Sequence, residues 1–281
     1  PYVRWCERTA EVIPPPILYL HGNGGTKLKK LNILLTNDDG IYSEGIRALY
    51  KSLKTIGNVT VVAPDTERSA VGHAITLSDP LRVKEVKRDG KFFGYATTGT
   101  PADCVKLAIW ALLKKKPDMV VSGINLGPNT GYSVLYSGTV SGATEGAIIG
   151  IPSFAISLAT FENPDYVVAA EFAKKLAKKI LANKGLPQGI LLNVNVPAVD
   201  KKRIKGVKIV RQSKTAIKER FDKREDPHKR TYYWLTGEVV ESDGQKDADI
   251  EAVRNNYISI TPIHCDMTNY EFMEKLKEWK F

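Results

Sequence analysis

The chain has 281 residues, 43% hydrophobic and 26% charged, with 41 Lys and Arg against 31 Asp and Glu for a formal charge of +10. These values exclude a disordered or fibrous chain and suit one large α/β domain, or one domain with an appendage. The basic balance favours anionic partners such as nucleotides or polyphosphate. The lysines at 114–116, 174–175 and 178–179 lie on or beside helical patterns without interleaved aromatics, so no dedicated nucleic-acid partner is expected. No run is long enough to span a bilayer, so no membrane partner is expected either. The three cysteines, Cys6, Cys104 and Cys265, form neither a CxxC pair nor a zinc spacing, and their odd number suits no disulfide framework. A reducing, cytoplasmic compartment is the simple expectation.

Residues 1–30 differ from the rest and read as an N-terminal extension. They carry Pro14-Pro15-Pro16, then an apolar run, Ile17–Leu20, and the Gly-rich turn His21-Gly22-Asn23-Gly24-Gly25, a possible strand and loop. From Leu31 onward strands and helices alternate. Leu31–Thr36 is a strand. Ser43 caps a helix to Lys54 whose apolar face is Ile46, Leu49, Tyr50 and Leu53. Val59–Ala63 is a strand stopped by Pro64, and Leu81–Val86 with Phe92–Ala96 reads as a hairpin around Asp89-Gly90. Pro101–Leu113 is helical behind Thr100, and Met119–Ser122 is a short apolar strand. Gly138–Ile149 is a helix of small residues, followed by strand Phe154–Leu158, helix Tyr166–Leu181 and strand Ile190–Val196. This alternation predicts an α/β fold with a mostly parallel sheet covered on both faces.

Beyond Pro197 the pattern changes. Val207–Arg211 and Thr231–Thr236 are strand-like and joined by a very polar stretch, Lys214–Arg230, which suggests a protruding hairpin packed on the body or on another subunit. Tyr257–Thr261 is a further β-rich run. Thr268, with Glu271 three residues on, predicts a capped terminal helix to Lys280. The expected domains are an extension at 1–30, a core at 31–197 and a C-terminal oligomerisation region at 198–281.

Ligands of open parallel sheets gather at the carboxyl ends of the strands. There the chain places Asn37-Asp38-Asp39-Gly40, then Pro64-Asp65-Thr66-Glu67-Arg68-Ser69, then Gly123-Ile124-Asn125-Leu126-Gly127-Pro128-Asn129. Adjacent acids at the end of a buried strand are costly without a positive partner. Two carboxylates, a hydroxyl and an amide suit Mg²⁺, Mn²⁺ or Ca²⁺ and are poor for zinc. Neighbouring strand residues point to opposite faces, so Asp38 and Asp39 share one ion only if the chain turns, which Gly40 permits. Taken alone, the segment also fits a turn with Asp38 as cap and Asp39 solvated. Two helix openings, Thr97–Asp103 and Tyr136–Ala143, offer hydroxyls, glycines and free N–H groups to a phosphate. Neither the Walker nor the dinucleotide glycine fingerprint is present. His21, His73, His228 and His264 are scattered and read as structural. The His21–Gly25 turn is similar to an oxyanion-hole turn of α/β-hydrolases, but no G-x-S-x-G elbow accompanies it.

Ile33–Ile41, Ala63–His73, Thr98–Val105, Ser122–Asn129 and Tyr136–Ala143 together resemble the ordered motifs of the SurE family of survival-protein nucleotidases, from Leu31 to the C-terminus. The resemblance implies a Rossmann-like three-layer core with a C-terminal β-hairpin extension used in subunit exchange, and a homodimer or homotetramer. It implies metal-dependent hydrolysis of nucleoside 5′- or 3′-monophosphates and, in some members, of short polyphosphate. Carried over by motif, Asp38, Asp39, Ser69 and Asn125 are the ligands of one divalent cation per subunit, with Asp38, Asp39 and Asn125 at the chemistry. Asn37, Ser137, Gly138 and Thr139 are the expected phosphate-binding residues. Water attack and an aspartyl-phosphate intermediate both remain open at this stage. The competing classes are a nucleotide sensor using the same pocket and an esterase relying on the N-terminal turn.

Overall fold

The computed structural model describes residues 30–214, 217–239 and 245–281. The strand and Gly-rich turn expected within 17–25 lie outside the described residues. In chain order the elements are β1 (Leu31–Thr36), α1 (Glu44–Leu53), β2 (Gly57–Pro64), β3 (Val83–Arg88), β4 (Lys91–Thr97), α2 (Pro101–Leu107), β5 (Met119–Leu126), α3 (Gly138–Ile148), β6 (Ser153–Ala159), α4 (Val167–Ala182) and β7 (Ile190–Pro197). There follow β8 (Gly206–Ile209), β9 (Ile217–Glu225), β10 (Thr231–Val239), α5 (Asp249–Arg254), β11 (Tyr257–His264) and α6 (Tyr270–Leu276).

Nine strands form one sheet in the order β3-β4-β2-β1-β5-β6-β7-β11-β8. Its centre is parallel, and antiparallel pairs occur where β3 meets β4 and where β11 meets β7. Both faces of β1 are buried, which is why its residues read as a continuous apolar run. Ile33 and Leu35 pack with α1 and α4 through Ile46, Leu49, Ala173 and Leu176. Leu34 faces the opposite side, with Cys104 and Val105 of α2 and Ala108 just beyond it. The result is a three-layer α/β sandwich.

A stripe of small residues on α3 sets how closely that helix approaches the sheet. Gly138, Gly142 and Gly146 recur every fourth residue on one face. A Cβ at Gly142 would lie 2.8 Å from Thr36 Cγ2, and one at Gly146 would lie 2.3 Å from Ser153 Oγ and 2.8 Å from Val120 Cγ2. Gly146→Ala is therefore expected to lose about 1–2 kcal/mol of stability. Contacts this short put overpacking in the upper part of its range, about 2–3 kcal/mol, offset by about 1 kcal/mol of helix propensity. A thermal melt checks this, and an unchanged midpoint would contradict so close an approach.

Several expectations are corrected. The helix expected from Pro101 to Leu113 is α-helical only to Leu107 and continues as a π-type turn over Ala108–Leu112. β5 runs on to Leu126, so Asn125 lies within the strand and not in a loop after Ser122. The ribbon is not formed by the Val207 and Thr231 strands. β8 instead joins the main sheet beside β11, and β10 pairs with β9, a strand hidden in the polar stretch. Its alternating charges mask a period of two because neither face of the ribbon is buried in this chain. The terminal helix is capped by Asn269, whose side chain accepts from Phe272 N–H, while Thr268 N–H donates to Asp266 in a preceding turn. Asn is an equally good cap one residue on, so the capping-box spacing at Thr268 pointed one residue too early.

Candidate active site

The carboxyl end of β1 meets the N-terminus of α3. Asp38 is 3% exposed, and both its oxygens are engaged by one residue. Thr139 N–H donates to Oδ2 at 3.0 Å, and the Thr139 hydroxyl donates to Oδ1 in a short hydrogen bond. This contact needs the close helix approach: a Cβ at Gly138 would lie 2.8 Å from Asp38 Cβ. The main chain of Asp38 is held as well, its carbonyl accepting from Arg68 N–H at 2.8 Å.

Asp39 turns the other way, toward β5. Its Oδ2 accepts from Leu126 N–H at 3.3 Å, beside Asn125. The Asn125 amide nitrogen donates to Gly127 O at 2.7 Å, which leaves its amide oxygen to offer lone pairs. Ser69 lies on the loop after β2 and donates to Glu67 Oε1 at 2.7 Å.

Electrostatics mark the pair as short of positive charge. Burial raises the Asp38 carboxyl above the usual range, against the lowering hydrogen bonds from Thr139, with a smaller push from Glu67. Burial, then the neighbouring Asp38 charge and Glu67, raise Asp39 to about 7. Among the described residues neither aspartate pairs with Lys, Arg or His. No group of three or more His, Cys, Asp or Glu converges among them either, so an ion here would rest on the two carboxylates together with neighbouring amide and hydroxyl oxygens. Asn37 Oδ1 is a further buried acceptor without a donor at the same strand end. An oxygen-rich cluster with raised carboxyl pKa values and no cationic partner fits a hard divalent cation.

The phosphate-binding expectation narrows. Both hydrogens of the Asn37 amide are used, on Gly40 O at 3.0 Å and Ser43 Oγ at 2.9 Å, so Asn37 has none for a phosphate. The Thr139 hydroxyl and N–H are spent on Asp38. Ser137 Oγ accepts from Val140 N–H at 3.1 Å as the cap of α3 and keeps its own proton to donate. Of the four expected residues, Ser137 at the cap and Gly138 at the first position of α3 are those whose donors are not committed to Asp38, Gly40 or Ser43.

Buried polar contacts hold the loops that carry these groups. Asn129 N–H donates to Asn195 Oδ1 at 2.7 Å, its amide donates to Ser157 Oγ, and its carbonyl accepts from both Asn193 and Asn195. Asp249, at the start of α5, accepts from Gly131 and Ser213 N–H groups, each at 3.0 Å. The C-terminal elements thus brace the segment that leads into Ser137. On the other side the loop after β2 is strapped to α2 and α3. Thr76 donates twice to Asp103, and His73 meets the buried Glu145 at 2.8 Å. Burial raises the Glu145 carboxyl, but hydrogen bonds from His73 and Lys106 outweigh it and the net shift is downward. The structure pairs His73 with Glu145, in keeping with the structural reading of the scattered histidines.

Glu67, Thr139 as the partner of Asp38, and Tyr166, whose phenol is raised by burial and then by the charge of Asp39, were not picked out by sequence reasoning. Glu67 stood inside a quoted motif with a carboxylate as its only signal. Tyr166 gave none, because the fold alone brings the start of α4 beside Asp39.

A family model described as Survival protein SurE matches residues 33–219. A 5′-nucleotidase SurE of Syntrophobacter fumaroxidans is 53% identical over 89% of this chain and 99% of its own length. One of Kosmotoga olearia is 53% identical over 88% and 98%. A crystal structure of the SurE protein from Aquifex aeolicus superposes with a TM-score of 0.77 at 46% identity, covering 88% of this chain and 98% of that one.

Proposed function

The chain belongs to the Survival protein SurE family, and on that premise we propose that it is a 5′-nucleotidase, a hydrolase releasing phosphate from nucleoside 5′-monophosphates at a divalent cation held by Asp38, Asp39, Ser69 and Asn125. The observation that carries the proposal is the Asp38-Asp39 pair at the carboxyl end of β1, with Asp38 buried against the N-terminus of α3, Asp39 turned to β5, and neither paired with Lys, Arg or His among the described residues. A bound Mg²⁺ or Mn²⁺ would polarise a phosphoryl oxygen and activate water.

The chain's own groups do the rest. Thr139 fixes Asp38 in one rotamer. Ser137 Oγ and Gly138 N–H hold phosphoryl oxygens where negative charge develops. Asp39 has one oxygen committed to Leu126 and its Oδ1 left to hold the cation, so attack comes from the activated water. We favour this route over direct attack by Asp38, both of whose oxygens are already hydrogen-bonded. A thiol nucleophile does not suit the fold, since burial pushes Cys104 up to about 12. We extend the proposal to 3′-monophosphates and short polyphosphate, because the groups assigned so far contact only a terminal phosphoryl.

We also propose self-association through the β9–β10 ribbon. Phe221, Tyr233 and Leu235 share one of its faces and are 57–62% exposed, an apolar surface suited to a second copy. No helix among the described residues is long and apolar enough to cross a membrane. Cys104 and Cys265 are free thiols, in keeping with a cytoplasmic location.

The test is phosphate release from 5′- and 3′-nucleoside monophosphates and tripolyphosphate, with Mg²⁺ or Mn²⁺ and with excess chelator. The expected result is release that chelator abolishes and cation restores. Nucleotide binding without release would favour a sensor, and chelator-insensitive release would remove the cation from the proposal.

A further inference from the structure

Phe161 lies in the loop between β6 and α4, and its side chain is 74% exposed. Its ring presses on Gly127: a Cβ there would lie 2.3 Å from Phe161 Cε1 and 2.9 Å from Cζ. Only a glycine lets the ring come so close to the main chain at that point, and Gly127 also has a φ of +105°.

The loop holding the ring is short and well tied. Gly127 N–H donates to Leu158 O at 3.0 Å, Thr160 N–H donates to the same carbonyl, and Thr160 Oγ1 both donates to Glu162 O and accepts from Glu162 N–H. A phenylalanine fixed in water forgoes the burial that would normally stabilise it. Its position supplies the reason. Gly127 O is the acceptor for the amide of Asn125, and the next residue back, Leu126, donates to Asp39. The far end of the same loop carries Tyr166, whose phenol feels the Asp39 charge. The ring thus lies against the residue whose carbonyl holds the Asn125 amide, one step along the chain from the N–H that Asp39 accepts.

We propose that Phe161 is the stacking platform for the nucleobase of the substrate. The inference rests on the nucleotidase reading of the site and deepens it by naming what holds the nucleoside. With the phosphate on Ser137 and Gly138 and the sugar over Asn125, the base extends onto the exposed ring. Stacking on an aromatic face is tolerant of base identity, so the platform selects nucleotides over simple phosphate esters without choosing strongly among bases.

The test compares kcat/KM on 5′-AMP, 5′-GMP and ribose 5-phosphate, which lacks a base. Phe161→Ala and Phe161→Leu are each expected to lose about 10-fold on the two nucleotides, mostly in KM, with ribose 5-phosphate unchanged. Leu keeps apolar bulk on Gly127 without a π face, so equal losses for Leu and Ala identify stacking over packing. Phe161→Tyr should retain the unaltered rate. No loss on nucleotides, or an equal loss on ribose 5-phosphate, overturns the platform and leaves the nucleotidase reading intact. Absence of release from all three substrates by the unaltered protein overturns both.

Discussion

Asp38→Asn is expected to lower phosphate release by about 10²–10³-fold, the scale seen when a single transition-state contact is lost. Divalent cation affinity is expected to fall by more than about 100-fold, beyond the loss typical of an outer-shell partner. The substitution removes the charge and also disturbs the contact with α3. Thr139 offers two donors, one to each Asp38 oxygen. Asn has one oxygen, so an amide NH₂ would face a donor and leave a buried group unpaired, at about 1–3 kcal/mol. Relief of the buried charge offsets part of that cost, so folding should survive while binding does not. Turnover on 5′-AMP and calorimetric titration with Mn²⁺ check the two halves separately. Retained affinity and turnover would show that Asp38 is a cap for the α3 terminus and no more.

The second large effect is a dependence on pH. In the cation-free protein Asp39 is raised from 3.8 to about 7 by burial, by the Asp38 charge and by Glu67. A raised carboxyl favours folding only while protonated. Its contribution is fully present below about pH 4 and is lost as pH rises through about 7, on the order of 4 kcal/mol in total. A bound cation takes the proton's place, so it should stabilise the protein strongly above pH 7 and little below pH 5. The check is the shift in Tm caused by Mn²⁺ across this range, for the unaltered chain and for Asp39→Asn. The unaltered chain should gain most at alkaline pH, and the variant should show a small, flat response. Equal Mn²⁺ shifts at pH 5 and pH 8 would contradict a shared proton and cation site.

Much of the fold was legible because local signals agreed with burial. β1 reads as an apolar run since both its faces are covered, and Ser43 is a good cap where α1 begins. β9 was not legible, because a ribbon exposed on both faces within one chain carries no alternation to read. The chain continuation of β5 through Gly123 was missed because glycine in an apolar run normally signals a turn. At the site, the oxygen-bearing residues could be listed from the strand ends, but their division of labour could not. Which hydrogens of Asn37 and Thr139 are free depends on Gly40, Ser43 and Asp38 in three dimensions. The segment Gly138–Ile149 read only as a helix of small residues, and the consequence of its Gly138-Gly142-Gly146 face is specific: it lowers the α3 terminus onto Asp38.

The most direct measurement is calorimetric titration of Mn²⁺ into chelator-treated protein above pH 7. The account predicts saturable binding of one cation per chain, lost in Asp38→Asn. Absence of saturable binding by the unaltered chain, or undiminished binding by Asp38→Asn, would contradict the reading of Asp38 and Asp39 as a cation site.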